Sequence, residues 1–159
     1  MFKRLAAASL LSVGAGLLSA ALVPKLSLEE MTGASDLIVH VRVGDSFAAW
    51  DPQRLFIWTH YKLEVLEVWK GNVDGPLVVS EPGGALDGIS MAFSGALRYK
   101  PGEEVILFLY RTPIGYWRAR GLSQGKVAVE SRNGRLIISR DGIPVGQFKS
   151  RVQRLSEVR

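Results

Sequence analysis

Two histidines, fifteen carboxylates and no cysteine are what this 159-residue chain brings to chemistry. Without cysteine there is no thiolate nucleophile, no thiolate zinc site and no disulfide scaffold. Neither His40 nor His60 stands in an H-E-x-x-H or G-x-S-x-G context, so those two motif routes to hydrolysis are closed. No phosphate-cradling glycine loop occurs, and Gly83-Gly84 is a bare pair suited to a turn. Glu103 and Glu104 sit beside a turn and read as a solvated pair rather than a tuned acid and base. The expectation is a non-enzyme that needs no cofactor and no metal.

One pairing of chemical groups invites a geometric test. If the two longest strands form a hairpin centred near Trp50, His40 faces His60 and Arg42 faces Trp58. Such a histidine pair reads either as half of a divalent metal site or pH-sensitive patch, or as an ordinary exposed cross-strand pair with a cation–π contact beside it. A catalytic zinc wants three protein ligands, and no third is evident.

The elements that would carry these groups follow from periodicity. Hydrophobic residues make up 47% and charged residues 22%, which excludes a disordered or collagen-like chain. Ser27-Leu28-Glu29-Glu30 fits a capping box for a short helix stopping at Gly33. Leu37, Val39, Val41 and Val43 alternate with Ile38, His40 and Arg42, a half-buried strand. Residues 46–54 contain Asp51-Pro52 and read as a loop. Leu55 to Trp69 is a long strand on which Ile57, Thr59, Tyr61, Leu63 and Val65 share one face. Leu66 and Val68 then take over the apolar role, so a bulge is expected near Val65-Leu66. Val105 to Tyr110 is almost wholly apolar, a strand covered on both faces. Asn133-Gly134 marks a two-residue hairpin. Phe148, Val152 and Leu155 recur at helical spacing in the tail from Gln147 to Arg159. The pattern predicts a mainly β fold: a small antiparallel OB-like barrel with a short N-terminal helix and a C-terminal amphipathic helix.

The N-terminus reads as an address. Lys3 and Arg4 precede an uncharged run from Leu5 to Leu18, and Ser19-Ala20-Ala21 supplies small residues for cleavage after Ala21. The competing reading is an uncleaved membrane anchor, since Leu5 to Val23 is 19 residues long. Gly14, Gly16 and Pro24 favour cleavage, which leaves residues 22–159 as one β-barrel domain, secreted or periplasmic. Removal of Lys3 and Arg4 lowers the net charge from +5 to +3. So small an excess, in an exported chain, calls for no nucleic-acid partner. The aromatic set Trp50, Phe56, Trp58, Trp69, Tyr99, Tyr116 and Trp117, with Arg118 and Arg120 nearby, reads either as a stacking surface or as core and rim of the barrel.

The motif order adds a resemblance. The run Ala34 to Val43, a long strand ending at Trp69-Lys70-Gly71, and Gly102-Glu103-Glu104 leading to Leu109 together resemble the netrin-like module. Tissue inhibitors of metalloproteinases and distant bacterial exported relatives share that module. It implies an OB-type barrel with a terminal helix over about Ser27 to Tyr110. Those inhibitors grip the protease zinc through an N-terminal cysteine, which this chain lacks, so the resemblance implies fold before inhibition.

Together these readings predict an exported binding domain for a protein, with an extracellular protease as one candidate. A membrane is involved only if the N-terminal segment stays uncleaved. Recognition is expected at the loops Phe47–Arg54 and Glu81–Gly88, with Trp50 as anchor and Asp51, Arg54, Gly83 and Gly84 beside it. The alternative is a small-ligand or glycan carrier with a cavity inside the barrel, lined by Tyr61 and Phe108.

Overall fold

Strand length sets the architecture. In the computed structural model, which describes residues 24–157, β1 (Leu37–Trp50) and β2 (Ile57–Lys70) each run 14 residues and pair antiparallel. They are followed by β3 (Leu77–Pro82), β4 (Gly84–Leu86), β5 (Ile89–Met91), β6 (Glu104–Arg111), β7 (Trp117–Ala119), β8 (Lys126–Arg132) and β9 (Arg135–Ile138). Helices α1 (Leu28–Ala34) and α2 (Val145–Glu157) flank the strands. The fold is mainly β, as the alternating pattern requires. The predicted signal segment and its cleavage point lie outside the described residues. Among those described, no helix is long and apolar enough to cross a membrane.

Seven strands join in the order β1-β2-β3-β7-β6-β8-β9, and β1 also pairs with β6. The order therefore returns to its starting strand through β1, β2, β3, β7 and β6. The two ladders of β6 are shared: β1 takes one edge, while β7 and β8 divide the other at Leu109–Arg111 and Val105–Leu107. One join departs from the antiparallel expectation. β3 and β7 run parallel and meet at a single pair, Val79 with Trp117. β4 and β5 form a separate two-stranded hairpin. At the far end, Ile137 of β9 bridges to Pro144.

Because β1 and β6 alternate apolar residues on both faces, they serve two cores. Inside the ring pack Leu37, Val39, Val41 and Val43 with Tyr61, Leu63, Val79, Tyr99, Val105, Leu107 and Leu109. On the other face Ile38, Ile106 and Phe108 pack against Met31 of α1 and Val145, Phe148 and Val152 of α2. β1 is thus buried on both sides over Leu37–Val41, not half-buried as its polar residues suggest. The continuous apolar run of β6 is covered on both faces, as expected.

Local chemistry explains the ends of the elements. The Ser27 hydroxyl accepts the Glu30 amide, and the Glu30 carboxylate accepts the Ser27 amide, the reciprocal capping box. α1 runs one residue past Gly33, and α2 starts at Val145, before Gln147. Asn133 and Gly134 both take positive φ, the two-residue turn their types favour, and join Arg132 to Arg135.

The bulge falls where the apolar phase slips. Val41 pairs with Val65 and His40 with Glu67, which leaves Leu66 as the extra residue. Its effect differs from the expectation. Leu66 and Val68 stay exposed, while Trp69 turns to the second core against Phe148. One inserted residue swaps which core the strand serves.

Phe148→Ala tests that second core. It leaves a cavity between Trp69 and Phe108 and is expected to cost about 3–5 kcal/mol of unfolding free energy. A urea midpoint that falls at unchanged m-value is the readout.

Candidate functional site

Two hairpins meet at one end of the sheet. The first is the β1–β2 turn, residues 51–56. β1 extends to Trp50, so Phe47 to Trp50 are strand rather than loop. The reason is the register break between Val43 and Ser46: Gly44 and Asp45 interrupt the apolar alternation without ending the pairing. Asp51 organises the turn. Its carboxylate accepts the Leu55 amide at 2.7 Å, its amide donates to the Phe56 carbonyl and its carbonyl accepts the Arg54 amide. With the side chain buried, Asp51 is a turn residue and offers little to a partner. Arg54, at positive φ, carries its guanidinium over the Trp50 ring at 5.8 Å.

The second hairpin is β4–β5, turned by Asp87 and Gly88. Gly83 and Gly84 bring it down onto β2. Both have positive φ, and a Cβ on Gly84 would lie 2.7 Å from Thr59 Oγ1. The Gly83 amide donates to the Ile57 carbonyl, and the Thr59 hydroxyl donates to the Gly83 carbonyl. These glycines are close-approach residues rather than ligand contacts. Trp50 then ties the hairpins together, its indole N–H donating to Asp87 at 3.1 Å.

The two loops expected to carry recognition are therefore side by side. Phe47 (48% exposed) falls inside the expected window, while Leu55 (63%), Phe56 (45%), Ile89 (46%) and Phe93 (38%), also exposed, lie beyond the two windows. Phe56 and Phe93 meet edge-on at 5.7 Å. Leu55-Phe56, separated by two residues from the Asp51-Pro52 turn signal, and Ile89 directly after Asp87-Gly88, were the available sequence cues.

The histidine pair does not form. The turn centre lies between Gln53 and Arg54, because Trp50 pairs with Ile57. His40 sits opposite Glu67 and Arg42 opposite Glu64, while His60 sits opposite Phe47 and Trp58 opposite Ala49. His40 is buried, its Nε2 2.7 Å from Glu104. His60 stacks on Phe47, takes the Tyr116 edge and lies 2.8 Å through Nδ1 from Ser80 Oγ. Burial pushes its pKa down, which favours the uncharged ring. Among the described residues, no group of three or more His, Asp or Glu could hold a metal. Glu103 and Glu104 part company too: Glu103 pairs with Lys126, and Glu104 faces His40 and Arg42.

The aromatic set does not share a face. Trp69 and Tyr99 are in the two cores, Arg118 lies over Trp58, and Arg111 covers Trp117 at 4.5 Å. Tyr61 and Phe108 do not share a cavity either. Tyr61 points into the ring, where it packs on Tyr99 at 4.9 Å, and Phe108 points to the helices.

A buried carboxylate lies behind the tip, and sequence reasoning missed it. Glu81, 3% exposed, accepts from the Arg118 guanidinium at 3.1 Å and from the Leu97 amide at 3.3 Å. The Ala119 amide also donates to it. Burial raises its pKa, and Arg118 and the two amides pull against that rise. No protein-family model matches this chain, and a search of characterised proteins finds no relative.

Glu81→Ala leaves Arg118 and two amides without their acceptor and is expected to cost about 3–5 kcal/mol. Glu81→Gln exposes the charge itself. A raised folded-state pKa means the folded chain holds the proton more tightly than the unfolded one. Stability of the parent relative to Glu81→Gln therefore falls as pH rises from the ordinary carboxylate range through the raised value. Urea titrations across that range check the sign.

Proposed function

We propose that this chain is an exported, non-enzymatic binding domain on a small OB-like barrel, and that it holds a partner protein by the apolar tip of its two hairpins. The observation that carries the reading is the exposed Phe56–Phe93 pair, with Leu55 exposed on the first hairpin and Ile89 on the second, the two hairpins being fixed by Asp51, Gly84 and the Trp50–Asp87 bond. Contiguous apolar surface on a rigid support is costly to leave in water and marks interaction sites. The barrel assignment draws on the closing β1–β6 pairing and on the netrin-like motif order. Export draws on the N-terminal pattern of basic, apolar and small residues.

Contact suits the site better than carriage or catalysis. The ring interior is filled by Val, Leu and two stacked tyrosines. The imidazole nearest a hydroxyl, His60 beside Ser80, belongs to a cross-strand pair. A protease outside the cell fits the resemblance, with the grip supplied by apolar contact in place of a terminal cysteine.

The test is capture by the mature chain from culture medium or periplasm, with Leu55→Ser and Ile89→Ser in parallel. Both side chains are exposed, so each change should alter folding stability by no more than about 0.5 kcal/mol. Capture of one partner by the parent and at least about tenfold weaker capture by the variants is expected, the size of one interface hot spot. Equal capture by all three proteins overturns the tip as the site.

A further inference from the structure

The segment that leads into α1 forms one wall of a groove. A single side chain straps it to the body. The Gln124 amide oxygen accepts the Leu26 N–H at 2.8 Å, and the Gln124 amide nitrogen donates to the Pro24 carbonyl at 3.0 Å. The 3-10 turn Leu122–Gly125, which carries Gln124, is the facing wall. Gly121 and Leu122 both take positive φ there, and a Cβ on Gly121 would lie 2.9 Å from Leu26 Cδ1, so the two walls touch at that point. Between them opens a space of about 730 Å³, floored by the packed second core at Met31, Phe108, Val127 and Phe148. That size falls in the range of small-ligand sites.

Which polar groups are already engaged sets the chemistry of the occupant. Inside, the Gln124 amide is taken up by the strap, and the Ser27 hydroxyl accepts the Glu30 amide. Leu26, Leu28 and Leu122, each half-buried, complete an apolar lining. The charged lining residues are exposed and stand at the mouth. Lys25 bonds to no group among the described residues. Arg140 reaches only Asp141, through Nε at 3.5 Å, which leaves its two terminal nitrogens open. Asp141 also accepts the Ile143 amide, so both of its oxygens are engaged. An anion at the mouth therefore meets two cations with free donors, whereas an ammonium meets one carboxylate already in use. The ligand that matches is apolar in its body and negative at one end.

We propose that this groove binds a single long-chain carboxylate, with its hydrocarbon against Leu26, Leu28 and Leu122 and its carboxylate at Lys25 and Arg140. Burial of the hydrocarbon supplies most of the affinity, and the exposed cations set its direction. The site is separate from the apolar tip and stands or falls independently of it.

Dodecanoate and dodecanol, titrated below the concentration at which micelles form into the isotopically labelled mature chain, are the probes. Saturable, equimolar binding of dodecanoate is expected, with shifts of the backbone amides of Leu26, Leu28, Leu122, Ser123 and Val127. Dodecanol should move the same amides with an affinity about threefold or more lower. Lys25→Glu, at an exposed position, should weaken dodecanoate about threefold or more, the scale of an exposed ion pair, and leave dodecanol unchanged. Leu28→Asp, which sets a carboxylate against the hydrocarbon, should weaken both at least about tenfold, and Phe56→Asp at the tip should weaken neither. The amide shifts are read in the unmodified chain, so misfolding of Leu28→Asp leaves the test intact. Unsaturable uptake, equal affinity for the two probes, shifts centred on the tip, or binding to phosphatidylglycerol vesicles by a chain that leaves dodecanoate unbound would overturn the proposal.

Discussion

Glu81 stands where the sheet has the least backbone bonding to hold it together. Eleven residue pairs join β1 to β2 and six join β2 to β3, but one joins β3 to β7. The closure therefore leans on a side chain: a carboxylate, sunk beside the ring interior, that gathers Arg118 and two amides. Such a group is expensive to desolvate and stabilises only when its acceptor sites are filled. Several polar atoms nearby are buried without hydrogen-bond partners: the Tyr99 hydroxyl, the Arg118 Nε and the Trp58 indole N–H. Burial and the negative charge of Glu81 also push the Tyr99 hydroxyl strongly upward in pKa. Part of the unmet polar demand thus gathers beside the weak seam.

The Leu66 bulge performs a second structural task. By reversing which face of β2 looks inward, it aims Glu67 and Trp69 at the helices, and a second extra residue, Trp69 itself, between Val68 opposite Val39 and Lys70 opposite Ile38, brings Lys70 to the same side. The Trp69 indole donates to Glu67, and Lys149 of α2 pairs with the same carboxylate. These contacts hold the Glu67 carboxyl below its ordinary pKa. Lys70 donates to the Thr32 and Ser35 carbonyls at the end of α1, where unpaired carbonyls and the helix dipole favour a cation. Two extra residues in a strand therefore anchor both helices.

What could be read in advance follows the range of the interactions. The Ser27–Glu30 box, the Asn133-Gly134 turn, the Leu66 bulge and the twofold burial of β6 are local patterns, and all four appear. Register is not local. Gly44 and Asp45 break the alternation, so the strand that continues through Phe47–Trp50 reads as loop, and the displaced turn separates His40 from His60 by seven positions of register. The parallel β3–β7 contact joins residues far apart in sequence and has no signature in either segment. Glu81 lies in Ser80-Glu81-Pro82-Gly83-Gly84, a loop by composition, and nothing in its neighbours tells that it is buried. Of the expected site residues, Trp50 ends β1 and Arg54 lies in the turn beside it, while Asp51, Gly83 and Gly84 shape the support beneath the apolar contacts.

The bridge from Ile137 to Pro144 bears on how the molecule behaves in a crowd. Closing β1 onto β6 removes most of the sheet's edges, but the branch through β8 ends on β9, whose outer side is a template for further chains. Pro144 occupies that side, and a proline has no N–H to pass the ladder on. Arg135, exposed at the start of the same strand, adds a charge that a stacked copy would have to bury. The branch of the sheet that leaves the ring is thereby terminated chemically, which guards the chain against edge-to-edge polymerisation.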